Sequence, residues 1–118
     1  MTLEWKTCFL NVPLNSVGLI EHDSDDPEWN NVFTVELSVD EYERLNSVFN
    51  DWNHKFHIII DLFEEETLNP ENVQEAMEIL ERHIEKNCGN QDFLNAAEKL
   101  KRALEKAIEV KMPLFLDF

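Results

Sequence analysis

The chain has 118 residues, 43% of them apolar, and ten basic against twenty-five acidic side chains give it a formal charge of −15. That length and apolar content suit one domain with a real core. The sign of the charge excludes ordinary nucleic-acid and anionic-membrane binding, which need a basic footprint, and favours basic protein partners.

No apolar run reaches the roughly 18–20 residues of a membrane span, and the start lacks the basic and apolar segments of a secretory signal. A cytoplasmic protein is therefore expected, with Cys8 and Cys88 reduced and acting as small buried hydrophobes. The charge is unevenly spread. Residues 38–82 carry three basic and twelve acidic side chains, whereas residues 83–118 carry six of each.

In chain order, residues 3–12 are rich in strand formers and are punctuated by Pro13 and Asn15-Ser16. Val17–Glu21 reads as a second brief strand, broken by Gly18, and Val32–Leu37 as the best strand. Three strands with no helix between them predict an antiparallel meander over residues 1–37. Between them, His22 to Asn31 is an acidic loop. Asp23, Asp25 and Asp26 offer hard oxygen ligands there, but the turn glycine and distal glutamate of a calcium loop are missing.

The region from Ser38 to Glu66 predicts the central helix. Ser38 and Glu41 form a capping box, and Tyr42, Leu45, Phe49, Trp52, Phe56, Ile59 and Phe63 recur at steps of three and four. One straight helix here would run roughly 40 Å, more than a small domain spans. A kink or break near Asn50–Asn53 is expected. A second helix starts at Asn69-Pro70-Glu71, buries Val73, Ala76, Met77, Leu80 and Ile84, and ends at Cys88-Gly89 with Gly89 as the left-handed terminator. A third, Gln91 to Val110, buries Phe93, Ala97, Leu100, Leu104 and Ile108. Pro113 stops it, and the apolar tail 111–118 is expected to add a strand or pack across the helices. The fold class is α+β: a small antiparallel sheet on three helices, in a single domain.

Two surfaces could carry function. On a continuous helix, His54, His57, Asp61, Glu64 and Glu65 would share one face, and His54, His57 and Asp61 could then ligate zinc or manganese. The zinc-protease pattern of two histidines four apart is absent, and such a polar stripe is also what any surface helix shows. The carboxylates Asp61, Glu64, Glu65, Glu66, Glu71 and Glu75 form the other surface, beside Leu62 and Leu68, which are expected to be exposed. Three successive glutamates near a helix C-terminus oppose its dipole, so helix chemistry does not account for them. A basic partner would. Trp52 belongs to the apolar stripe; Trp5 is a core or interface residue; Trp29, between Glu28 and Asn30, is the best single contact candidate. With Gly18 and Gly89 the only glycines, no phosphate loop exists, and no nucleophile turn is recognisable.

In size, acidity and layout, with the acidic Asp61–Glu75 surface on a compact α+β chain, the sequence resembles the small cytosolic immunity proteins that bacteria pair with secreted toxins. The resemblance implies a non-enzymatic inhibitor, without cofactor, that occludes the basic active site of a toxin domain. It transfers no residue by position. The expected protein is a monomer or homodimer with no direct nucleic-acid or membrane partner. A metal-dependent enzyme using His54, His57 and Asp61 and a nucleic-acid-mimicking inhibitor are the alternatives.

Overall fold

The computed structural model describes residues 6–24 and 28–118; Trp5, Asp25 and Asp26 lie outside them. The elements run β1 (Thr7–Pro13), α1 (Ser16–Asp23), β2 (Val32–Ser38), α2 (Val39–Arg44), α3 (Asn46–Phe56), β3 (Glu65–Leu68), α4 (Pro70–Lys86), α5 (Gln91–Val110) and β4 (Leu114–Asp117). The fold is α+β. Its four strands are ordered β2-β1-β4-β3, every neighbour antiparallel. The tail does add a strand, and that strand is central. The sheet is therefore no N-terminal meander, and Val17–Glu21 is helical.

Local chemistry explains α1. Asn15 caps it, its side-chain oxygen accepting from the Gly18 N–H at 3.0 Å. A Cβ on Gly18 would stand 2.1 Å from the Asn31 carbonyl oxygen. The glycine is there for close approach of two backbones, not to break a strand.

Alternation along the strands sets the core. Cys8, Leu10, Val12, Val35, Leu37, Leu68, Leu114, Leu116 and Phe118 are buried together with residues of α2 to α5. Burial raises the Cys8 thiol pKa despite the opposing charge of Lys6; Cys88, expected to be buried, is exposed, and neither is in a disulfide.

The central apolar stripe holds only in part. Tyr42, Leu45, Phe49 and Trp52 are buried, but Ile59 is 70% and Phe63 62% exposed. The chain breaks at Leu45, between α2 and α3, not at Asn50–Asn53, and helix ends at Phe56. His57 turns left-handed, and the Asn53 amide pairs with both backbone groups of Ile60, accepting at 2.7 Å and donating at 3.4 Å. An asparagine side chain thus replaces the next turn of helix.

The capping box at Ser38 forms, and Glu41 also meets Lys99 at 2.8 Å. Partial burial alone would raise the Glu41 pKa, but hydrogen bonds from Lys99 and Ser38 and the Lys99 charge outweigh it and lower the pKa. That contribution to stability is present above the ordinary glutamate range and lost as pH falls through the depressed value.

Tyr42 shows the opposite linkage. Burial first, and then its hydrogen bond to Asp61 at 3.1 Å, push its pKa up to about 12. The neutral phenol is favoured in the folded state, so stability is full below pH ~10 and declines as pH rises toward 12. Tyr42 is the only tyrosine. Tyrosinate absorbance should therefore titrate near 12 in the folded protein and near 10 in urea; coincident midpoints would remove the buried Tyr42–Asp61 contact.

The last two helices follow their stripes, with four differences. The Asn69 side chain makes no cap hydrogen bond at the start of α4. Gly89 is not left-handed; Asn87 ends α4, its amide donating to the His83 carbonyl at 2.8 Å. Ile84 is only half-buried. Ile108 is exposed, and Ala103 and Ala107 are buried in its place. Small residues let α5 lie close to the sheet. Among the described residues no helix is long and apolar enough to cross a membrane.

Candidate protein-binding surface

The helices α2 to α5 share the core with one face of the sheet, and the opposite face carries the other half of each strand. Register places Glu36 beside Phe9, Phe9 beside Asp117, and Asp117 beside Glu65. These four make one transverse row on the outer face, its end residues three strand spacings or about 14 Å apart. The next row is Thr34, Asn11, Phe115 and Thr67.

Part of this face is covered by α1, which packs on β1 and β2. Beneath it, Thr34 Oγ1 donates to Asn11 Oδ1 at 2.6 Å, and Asn11 Nδ2 donates to Asp117 Oδ2 at 2.6 Å. His22 Nε2 meets the same carboxylate oxygen at 2.7 Å, while its ring stacks on Phe115 at 3.9 Å and lies 5.4 Å from Trp29. Asn11, the one buried polar residue described, is satisfied by this chain of bonds. Glu21 ties the following segment to α1 by accepting from the backbone N–H of Asn31 at 2.7 Å. Phe9 and Trp29 remain 38% and 37% exposed.

The loop after α3 adds a protruding turn at the end of the sheet. Asp61 Oδ1 accepts from Tyr42 and from the Leu62 N–H at 2.8 Å. The Glu64 N–H bonds the Asp61 carbonyl at 3.2 Å and closes a turn whose third residue, Phe63, has φ 66°. Glycine is usual at such a position, and a bulky side chain there costs about 1–2 kcal/mol. Phe63 N–H also donates to the Phe118 carbonyl at 2.9 Å, and Lys6 Nζ lies 4.8 Å from its ring centroid.

The carboxylates anticipated as one cluster separate. Glu64 and Glu65 are exposed at the start of β3, with Glu65 in the outer row. Glu66, aligned with inward-facing Leu116, is half-buried on the other side of the strand. Glu71 is exposed in the first turn of α4, and Glu75 pairs with Lys55 at 3.2 Å. Asp61 is held by Tyr42 and Leu62. Leu68, expected to be exposed, is buried, and Leu62 is half-buried.

The histidine face does not exist: α3 ends before His57, so His54, His57 and Asp61 share no helix. Among the described residues no group of three or more His, Cys, Asp or Glu side chains is placed to hold a metal ion. Sequence reasoning missed Glu36, Phe9, Asp117, His22 and Phe63. The alternation of β2 would have turned Glu36 outward, but the register that aligns it with Phe9, Asp117 and Glu65 is not a local property. No family model, curated protein or solved structure matches the chain.

Proposed function

We infer that this chain is an immunity-type inhibitor that binds a basic protein partner, such as a toxin domain in the cytoplasm, and acts by occlusion. The observation that supports it is the row Glu36–Phe9–Asp117–Glu65, with the exposed Phe63 turn beside it. Carboxylates directly opposite across strands are unfavourable in a sheet, and Glu65 faces Asp117 here, with one Asp117 oxygen held by Asn11 and His22. Phe63 stands where glycine would be less strained, and its ring is 62% exposed. Two local costs at adjacent positions point to selection for contact rather than for folding. The negative field would speed encounter with a cationic cleft, and Phe63, Phe9 and Trp29 would supply apolar anchors.

The test begins with a tagged pull-down from the native host, washed at low and then high salt, and proceeds to kinetics with the retained partner. Changing Glu36 and Glu65 together to lysine should slow association at least tenfold and flatten its salt dependence, while Glu65→Lys slightly raises thermal stability. Phe63→Gly should speed dissociation without lowering stability. Kinetics unchanged in both variants, or no basic partner retained, would overturn the reading.

A further inference from the structure

The surface proposed above takes only the Glu36 side chain from β2 and leaves out the backbone edge of that strand, which is the edge of the sheet. Which of its backbone groups are free follows from one bond. Leu14 N–H donates to the Asn31 carbonyl at 2.8 Å, one step beyond the Pro13–Val32 pair. Hydrogen-bonded and non-bonded pairs alternate in an antiparallel ladder. Val12–Phe33, Leu10–Val35 and Cys8–Leu37 are therefore the bonded pairs, and Val32, Thr34 and Glu36 direct their N–H and C=O groups away from β1. Pro13 fits the same scheme. Its missing donor faces β4, whose pairing with β1 ends at Asn11–Phe115.

Among the described residues, no strand pairs with that outward edge, and the one side chain seen on it is Glu41, which accepts from the Ser38 N–H at 2.9 Å at the end of β2. Natural edges of this length are usually blunted by charge, proline or a bulge. Here the edge opens instead into a groove of about 480 Å³ between β2 and α5, lined by Phe33, Thr34, Val35, Glu36, Lys99 and Arg102. Lys106 Nζ lies over the Phe33 ring at 5.5 Å. The two long sides of the groove differ in chemistry. Side chains of an added strand on the α5 side would meet Phe33, Val35, the Arg102 cation and Lys99, whose ammonium already pairs with Glu41. Those on the other side would meet Thr34 and Glu36.

We propose that the free edge of β2 is a docking site for an extended segment of a partner protein, added as a fifth strand, with apolar and carboxylate side chains toward α5 and basic or neutral ones toward the outer face. The backbone supplies affinity and the alternation supplies direction of facing, as in other strand-addition complexes. Charge complementarity selects this occupant over a second copy of the chain. Symmetric β2 pairing would bring Lys99 and Arg102 of two copies together and join two chains of charge −15. At physiological ionic strength the screening length is about 8 Å, so with Lys99 paired to Glu41 the groove's own Arg102 and Glu36 set the facing more than carboxylates elsewhere.

The probe is a labelled heptapeptide, Thr-Glu-Lys-Val-Lys-Glu-Thr, compared by fluorescence anisotropy with its isomer in which glutamate and lysine are exchanged. Equal composition and zero side-chain charge remove any effect of the overall field. The first peptide should bind at least tenfold more tightly. Thr34→Pro deletes an outward N–H, leaves the backbone bonds to β1 in place and should abolish binding, well beyond any effect of the control Thr34→Ala, which loses the same Oγ1 bond to Asn11 but keeps the N–H; Arg102→Glu, at an exposed helix position, should weaken it at least tenfold. Absence of binding, equal binding of the two isomers, or binding indifferent to Thr34→Pro and Arg102→Glu would overturn the proposal. So would a concentration-dependent dimer dissociated by Thr34→Pro, which would make a second copy the occupant. Glu36 borders both surfaces, but none of these variants changes it or Phe9, Phe63 or Glu65, so this site and the outer-face reading fail separately.

Discussion

Trp52→Ala should lower the free energy of unfolding by about 3–5 kcal/mol, the largest loss expected from any single change in this chain. Trp52 is fully buried and heads the list of large enclosed side chains. It stands edge-on to Phe49, with ring centroids 5.6 Å apart, and its indole N–H donates to the Ala76 carbonyl at 3.2 Å. Truncation would leave a cavity between α3 and α4 and remove the indole bond to a carbonyl that α4 itself already uses. Trp52→Phe keeps most of the volume and isolates the polar part, at about 1–2 kcal/mol. Urea denaturation followed by far-ultraviolet circular dichroism measures both without relying on the deleted fluorophore. A loss under 1 kcal/mol for alanine would mean that α3 and α4 are held together by something other than this residue.

Gly18→Ala is expected to cost about 3 kcal/mol, for a different reason. The added methyl would stand 2.1 Å from a backbone oxygen and 3.1 Å from the Pro13 Cα. Neither can swing aside as a side-chain tip would, so α1 must lift from β1 and the 30–31 segment. Overpacking of this kind falls at the upper end of the usual 1–3 kcal/mol. The helix carries His22, so displacement should also break the His22–Asp117 contact and uncover Asn11. A shift in Trp29 emission at unchanged core fluorescence would be the local sign. An alanine variant as stable as the parent would place α1 farther from Asn31 than the structure has it.

Where sequence and structure agree, the signals are local. Pro70 opens α4 and α5 spans Gln91–Val110 as expected, because a proline at the first helical position and an apolar stripe act within a few residues; the Asn69 side chain makes no cap bond, and the cap of α5, Asn90, was not anticipated. The apolar tail was legible as a segment that needs burial, as a strand or across the helices, and it forms a strand. Where they differ, distant partners decide. Ile59 and Phe63 continue the helical spacing of Tyr42 to Phe56, yet Asn53 captures Ile60 and Asp61 engages Tyr42, and the helix stops. Of the candidate surface, Glu64, Glu65 and Trp29 were legible as exposed acidic or aromatic residues. The row joining Glu36, Phe9, Asp117 and Glu65 was not, since it depends on register between strands up to about a hundred residues apart.

The position of β4 has a consequence for how the protein is made. Asn11 and Asp117, joined by a 2.6 Å bond, are 106 residues apart. The strand that bridges β1 and β3 follows every other described element, so during synthesis these two strands have no common neighbour until translation has passed residue 117. Until then the β1–β2 hairpin shows an unsatisfied inner edge and α3, α4 and α5 an open apolar floor. Closure of the sheet is a late, long-range event of the kind that folds slowly. A chaperone that shields hydrophobic surface would act in that interval, before Leu114, Leu116 and Phe118 fill the floor.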